Sequence, residues 1–174
     1  MSIIIRVDDH DVRELLTRLQ RKTGDLLPAM REIGLRYERR VLENFSREQA
    51  PDGTPWARLS STTMMLGLGR NKGFGKRGLV KRGRRYLQNK KILFESGRLR
   101  QRVHNQPDKT SVRIGVTGVD YAAIHQFGGN AGRGRKVRIP ARPYLALNQG
   151  NRLVLAERDK QMVMDVLQKH LTVD

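Results

Sequence analysis

Apolar positions recur most regularly between residues 26 and 45, where Leu26, Met30, Ile33, Tyr37, Val41 and Phe45 fall every three or four residues. That spacing puts all six on one face of a helix. The helix is expected to begin near Asp25, with Pro28 in the first turn, where its missing N–H costs little. Arg31, Arg36, Arg39 and Arg40 lie off the apolar face, as a solvated surface or part of an electrostatic contact. Upstream, Val12, Leu15, Leu16 and Leu19 mark an earlier helix, with Asp11 and Glu14 at capping-box spacing and Gly24 as its stop. Ile3, Ile4, Ile5 and Val7 read as a short edge strand, and the serines and threonines of 60–66 suit a helical turn. Further on the period changes to two. Leu99, Gln101 and Val103 alternate, as do Val112, Ile114 and Val116, with Asn105-Gln106-Pro107-Asp108 between them, so 99–117 reads as a β-hairpin. Leu155, Met162, Val163, Val166, Leu167 and Leu171 return to helical spacing at the end. The pattern predicts one α+β domain over 1–174: a small antiparallel sheet packed by N-terminal helices and a C-terminal helix, with long basic Gly-rich loops.

The chain is organised around 121–147, YAAIHQFGGNAGRGRKVRIPARPYLAL. A short helical patch ending on Phe127 meets Gly128 and Gly129, a pair that permits positive φ and so predicts a hinge. A basic loop over about 129–137, with Arg133 and Arg135, follows. Pro140 and Pro143 then bias their predecessors towards extended backbone, leading to Tyr144, Leu145 and Leu147. Earlier, Asp52-Gly53 predicts a turn before Trp56, the only tryptophan. A tryptophan beside prolines is a local core anchor or an exposed anchor at a subunit contact.

Charge changes the picture between these elements. Hydrophobic residues make up 37 % and aromatics 5 %, so the core is modest, while the net charge is +18. Arg70, Lys72, Lys76, Arg77, Lys81, Arg82, Arg84, Arg85, Lys90 and Lys91 follow one another with no acid among them. With six glycines in the same stretch, 67–91 is expected to be a flexible basic arm without a core of its own. A field of that sign favours polyanions, either nucleic acid or acidic protein.

Candidate chemistry is sparse. His10, His104, His125 and His170 are scattered, with no H-E-x-x-H pair, and Asp8, Asp9 and Asp11 lack the rest of a calcium loop. The basic arm holds no phosphate-cradling G-x-x-x-x-G-K-[ST]. His125 stands near Asp120, yet no nucleophile or second carboxylate accompanies it. Catalytic, cofactor and metal residues are therefore expected to be none. The chain contains no cysteine, which excludes disulfides and thiolate metal sites. No run of about 18 apolar residues is present, so no membrane partner is expected. The opening MSIIIRVDDHD has neither the basic start nor the apolar length of a secretory signal.

Three sets of words, in order, carry a resemblance. They are Pro51-Asp52-Gly53-Thr54-Pro55-Trp56; Leu93-Phe94-Glu95-Ser96-Gly97-Arg98-Leu99; and Ile124-His125-Gln126-Phe127-Gly128 followed by Ile139-Pro140-Ala141-Arg142-Pro143-Tyr144-Leu145. Together they resemble the phage virion morphogenesis family, the Mu-like tail-completion or head-to-tail joining proteins. The resemblance lapses across the basic arm. It implies a structural protein that completes the tail and joins it to the head within a neck ring of about six copies of itself, touching tail-tube and head–neck connector proteins. The implied location is the virion tail or neck, reached from the host cytoplasm. Expected interface residues are Trp56, Phe127 and Tyr144 as anchors, Gly128 and Gly129 as hinge, and Arg70, Lys72, Lys76, Arg77, Lys81, Arg82, Arg84, Arg85, Arg133 and Arg135 as a clamp. Two other functions stay open: non-specific nucleic-acid binding through the basic arm, with contact to phage DNA compatible with either, and a nuclease, for which clustered carboxylates are missing.

Overall fold

The computed structural model describes residues 10–70, 73–150 and 152–172. The expected strand over Ile3 to Val7 and the clamp residue Lys72 lie outside them. Helix α1 spans His10–Thr23 and ends at Gly24, whose φ of +68° suits a residue without Cβ. Because α1 begins at His10, Asp11 sits inside its first turn rather than at its cap. Helix α2, Leu27–Arg47, carries Pro28 in its opening positions, and Asp25 Oδ1 accepts from Leu27 N at 2.9 Å. Its expected apolar face is buried from Leu26 to Phe45. Each large side chain so buried contributes about 1.5–3 kcal/mol.

Around α2 the remaining elements assemble. Helix α7, Glu157–Thr172, packs on α1 and α2, with Val166 and Leu167 wholly buried. The hairpin of β3, Val103–Pro107, and β4, Val112–Val116, packs on α2 as well, in the register Val103↔Val116 to Pro107↔Val112. Gly34 makes that approach possible: a Cβ there would lie 2.6 Å from Asn105 Oδ1. The hairpin is shorter than the alternation implied. Leu99 and Gln101 belong to a helical turn, α5 (Arg98–Gln101), entered through Gly97 at φ +74°. Three alternating residues do not distinguish a strand from one helical turn, and the left-handed glycine decides for the turn. The reversal is 108–111, where Asp108 N donates to Ser111 O at 2.7 Å.

Charged groups join α2 to α7. Arg40 pairs with the buried Asp159, and Arg158 donates to Asn44 Oδ1 at 2.9 Å. Burial pushes the Asp159 carboxyl above its usual range, and the hydrogen bond and charge of Arg40 offset this in part. Glu32 accepts from Arg36, Lys169 and His170 at 2.6–3.1 Å. Burial pushes its carboxyl up, but the hydrogen bonds from Lys169, His170 and Arg36 prevail and hold it below its usual value. A depressed carboxylate stabilises the fold above its unfolded pKa, and that contribution is lost as pH falls through the lower folded one. Below about pH 4, thermal melts are expected to show the wild type losing more stability than Glu32→Gln. Parallel acid profiles would remove this cluster from the account of acid lability.

The stretch 67–91 differs most from expectation. It is built as α3 (Ser61–Arg70), a hairpin of β1 (Phe74–Gly75) and β2 (Gly78–Leu79), and α4 (Lys81–Asn89). Ser60 Oγ caps Thr63 N at 3.2 Å, the role expected of the 60–66 hydroxyls. The glycines that suggested a structureless arm are points of close approach. A Cβ on Gly83 would meet Gly73 O at 2.3 Å, and one on Gly67 would overlap the Tyr86 ring. Gly83 laid backbone to backbone on Gly73, and Gly67 laid against the Tyr86 ring, let α3 and α4 pack with few apolar side chains. Leu68 is buried there, apart from the main core.

The α+β class stands, but its β part, among the described residues, is four separate two-stranded hairpins rather than one sheet. The other two are β5 (Gly129–Ala131) with β6 (Val137–Ile139), and β7 (Leu147–Gln149) with β8 (Arg152–Val154). The basic loop of 129–137 is the first of these hairpins, with a 3-10 turn at Arg133–Arg135 as its tip.

Candidate functional site

The recurring words of the sequence converge on one place. The PDGTPW turn folds back on the end of α2: Ala50 N donates to Thr54 O at 2.8 Å, Trp56 N to Glu48 O at 2.9 Å, and Gly53 takes φ +92°. This sets Trp56 edge-on to Phe45, with ring centroids 5.6 Å apart, and Tyr144 follows at 5.0 Å from Phe45. Trp56 is 5 % exposed and Tyr144 0 %. Of the two readings of Trp56, the core anchor holds, and Tyr144, expected as an anchor at the subunit contact, lies inside the subunit beside it. The partner of Trp56 is not local: the carbonyl that its Nε1 meets belongs to Pro143, far along the chain.

Expected to run extended, the backbone of 142–146 instead bends over Tyr144–Ala146 and belongs to no strand, so side chains satisfy its polar groups. Gln126, on α6 (Ala122–Phe127), is the hub. Its Oε1 accepts from Tyr144 N and Leu145 N at 3.0 Å each, and its Nε2 donates to Ala146 O at 2.7 Å and Asn148 Oδ1 at 3.0 Å. Trp56 Nε1 donates to Pro143 O at 2.8 Å, Asn44 Nδ2 to Tyr144 O at 3.1 Å, and Tyr37 Oη to Leu145 O at 2.7 Å. Buried backbone polar groups demand partners, and here four side chains from three parts of the chain, Tyr37 and Asn44 on α2, Trp56 and Gln126, supply them. Sequence reasoning passed over Gln126 and Asn44. The available signal was a polar residue within each apolar helical run.

Beside this hub opens a cleft of about 380 Å³, walled by Leu59, Leu93, Leu99 and His125, with Phe94 and Tyr121 at its mouth. Arg142 forms part of its wall and donates through Nε to Ala57 O at 2.9 Å and through Nη2 to Arg58 O at 3.2 Å. Burial lowers the pKa of His125, and the positive charge of Arg142 lowers it further, so the imidazole is neutral at neutral pH. Its ring stands edge-on to Tyr121 at 5.7 Å, and its Nδ1 is buried without a hydrogen-bond partner among the described residues. Glu95 also faces the cleft but is paired with Lys90. Among the described residues no cluster of histidines and carboxylates could hold a metal ion, and no helix is long and apolar enough to cross a membrane.

The remaining expected residues divide between surface and backbone. Phe127 is 46 % exposed, so it is a surface side chain. Gly128, at φ +74°, touches the returning chain just past β6: a Cβ on it would lie 2.8 Å from Ala141 N, and Arg142 N donates to His125 O at 2.7 Å across the same join. Gly129 takes φ +142°. The expected hinge is thus a clasp in which 128–142 closes on itself. Lys76, Arg77, Lys81, Arg82, Arg84, Arg85, Arg133 and Arg135 are all exposed, and Arg70 ends α3.

Exposed large apolar side chains are concentrated in part of the chain. Among the described residues, nine of the ten, from Met65 and Leu66 through Phe74, Phe94 and Tyr121 to Phe127 and Val137, fall between 65 and 137, and Leu35 is the tenth. Exposed apolar side chains mark contact sites where they lie together on a surface.

The phage virion morphogenesis family model matches residues 7–172. A relative named Mu-like prophage FluMu G protein 2, from Haemophilus influenzae, is 31 % identical over 147 residues, which is 83 % of this chain and 85 % of the relative. No solved structure matches.

Proposed function

Because the chain belongs to the phage virion morphogenesis family, and so has a structural role in phage assembly, we propose that it completes the tail and joins it to the head within a neck ring of about six copies. The observation that carries this reading is the uncovered apolar surface between Met65 and Val137. A ring needs heterologous contacts, in which one patch meets a different patch on the neighbour. The lobe of α3 and α4, with Met65, Leu66 and Leu87 exposed, is one such patch. The cleft mouth, with Phe94 and Tyr121, is a chemically similar second one, and the exposed Phe127 ends the same helix that carries His125.

In this reading no bond is made or broken. The core of α1, α2 and α7 supplies a stiff wedge, and the lobe and the β5–β6 hairpin reach the neighbours, which include tail-tube and connector proteins. One wall of the cleft is braced by Arg142, whose guanidinium ties 142 to the segment after Trp56 through Ala57 O and Arg58 O. Its apolar lining suits an apolar side chain from the next subunit.

The direct test is imaging of intact particles beside particles made without this protein. The reading expects the subunit in a ring at the joint of tail and head, and expects its loss to leave filled heads and unjoined tails. A subunit found on the tail fibres or distal tip, or joined infectious particles made without it, would overturn the reading.

A further inference from the structure

Charge is segregated along this chain. Residues 53–94 contain eleven Lys and Arg and no acid, and residues 121–156 contain six and no acid, so these stretches supply +17 of the +18 net charge. Everything else, including the packed helices α1, α2 and α7, is nearly neutral. The densest part is α4. Lys81, Arg82, Arg84 and Arg85 are exposed, form one surface with Gln88, and have no ion-pair partner among the described residues. The apolar side of the helix is used elsewhere: Gly83 lies on Gly73, and the Tyr86 ring packs on Gly67.

The placement of these cations works against the helix itself. Val80 at the N-cap offers no side-chain cap, and the first turn has no acid. The first five residues instead hold four positive charges, at the end where the backbone amides are already positive. An isolated helix is destabilised by that arrangement, whereas a row of anions laid along it relieves both the side chains and the amides.

We propose that the outer face of α4 is a docking surface for the phosphate backbone of double-stranded DNA, bound without regard to sequence. Of the two polyanions in question, an acidic protein surface or DNA, the chemistry favours DNA. The face is almost wholly cationic and polar, with no apolar anchor of the kind that dominates protein contacts. Its aromatic residue is turned inward, away from any base, which disfavours single strands read by stacking. A nine-residue helix with guanidinium groups spaced along one side suits successive phosphates. This inference does not rest on the ring: the apolar surface carries the assembly reading, and the cationic face carries this one.

The test is fluorescence anisotropy of full-length protein with a random duplex of about 30 base pairs, titrated between about 50 and 200 mM salt. The comparison variant carries Lys81→Gln, Arg82→Gln, Arg84→Gln and Arg85→Gln together. Four phosphate contacts give a slope of about −3.6 in log K against log salt, so the wild type should lose about 150-fold more affinity than the variant over that range. The variant should melt at or slightly above the wild-type temperature, because it removes cations from a helix N-terminus. That separates lost binding from lost folding. No binding of the wild type at the lower salt, or an unchanged slope in the variant, would overturn the proposal. Equal affinity for polyglutamate of matched charge would also overturn it, assigning the face to an acidic protein partner.

Discussion

Replacing Gln126 with alanine lowers the unfolding free energy by about 4 kcal/mol, the largest effect expected of a single polar substitution in this subunit. The side chain is fully buried, and its amide satisfies the N–H groups of Tyr144 and Leu145 and the carbonyl of Ala146. Truncation orphans three buried backbone groups at once, each costing roughly 1–3 kcal/mol. Water entering the vacated space recovers part of that. The remainder is a large share of a stability of about 5–15 kcal/mol. Urea unfolding followed by circular dichroism measures it. Gln126→Glu discriminates the cause: it keeps an acceptor for Tyr144 N and Leu145 N but loses the donor to Ala146 O and buries a charge. A shift below about 1 kcal/mol in both variants would mean that 142–146 is held by packing alone, and the hub would have to be abandoned.

Phe127→Ala is expected to behave in the opposite way, leaving the subunit intact and preventing assembly. Had this ring been in the core, its removal would cost about 3–5 kcal/mol; at 46 % exposure the loss should be below about 1 kcal/mol. At a subunit contact the same ring is an aromatic anchor, and truncating such a group costs about 2 kcal/mol or more. A closed ring repeats every contact, so about six copies lose this energy about six times over. Thermal melting of the purified subunit, together with counts of joined particles, separates the two effects. An unchanged melting temperature with joined particles reduced at least tenfold is the expected pair of results. A fall in melting temperature matched by a proportionate fall in particles would return Phe127 to a purely structural role.

These two residues also show how much the chain discloses by itself. Phe127 stands in an apolar run that suits a core or a subunit contact alike, and its side chain is exposed where α6 ends at Gly128. Gln126, its polar neighbour, invites a surface reading and is the most connected side chain of the interior. A six-residue helix is too short for periodicity to say which face is covered. The same limit applies at Leu99 and Gln101, read as strand and found in a helical turn.

Local rules fixed a good deal nonetheless. The α2 period predicted its buried face from Leu26 to Phe45, because 3.6-residue spacing is a property of the helix itself. Gly24, Pro28 and Gly53 act through backbone freedom, which is also local, and each lies at the stop, start or turn expected of it. The ordered words around Trp56, Ser96 and Phe127 pointed to the family that the comparison bears out over 7–172. The α+β class followed from the change of period between α2 and β4.

The tertiary structure alone decided which partners those elements meet. Glycines in 67–91 read as freedom when only the chain is considered; brought together, Gly67, Gly73 and Gly83 are the contacts that let α3 and α4 pack. Trp56 and Tyr144 are interior because Pro143 O and Asn44, 87 and 100 residues away respectively, lie within hydrogen-bond reach of them. Spacing along a chain carries helical pitch, strand pleat and turn geometry, since those arise between near neighbours. Which polar group satisfies a buried backbone segment depends on distances across the fold, and only the folded chain sets them.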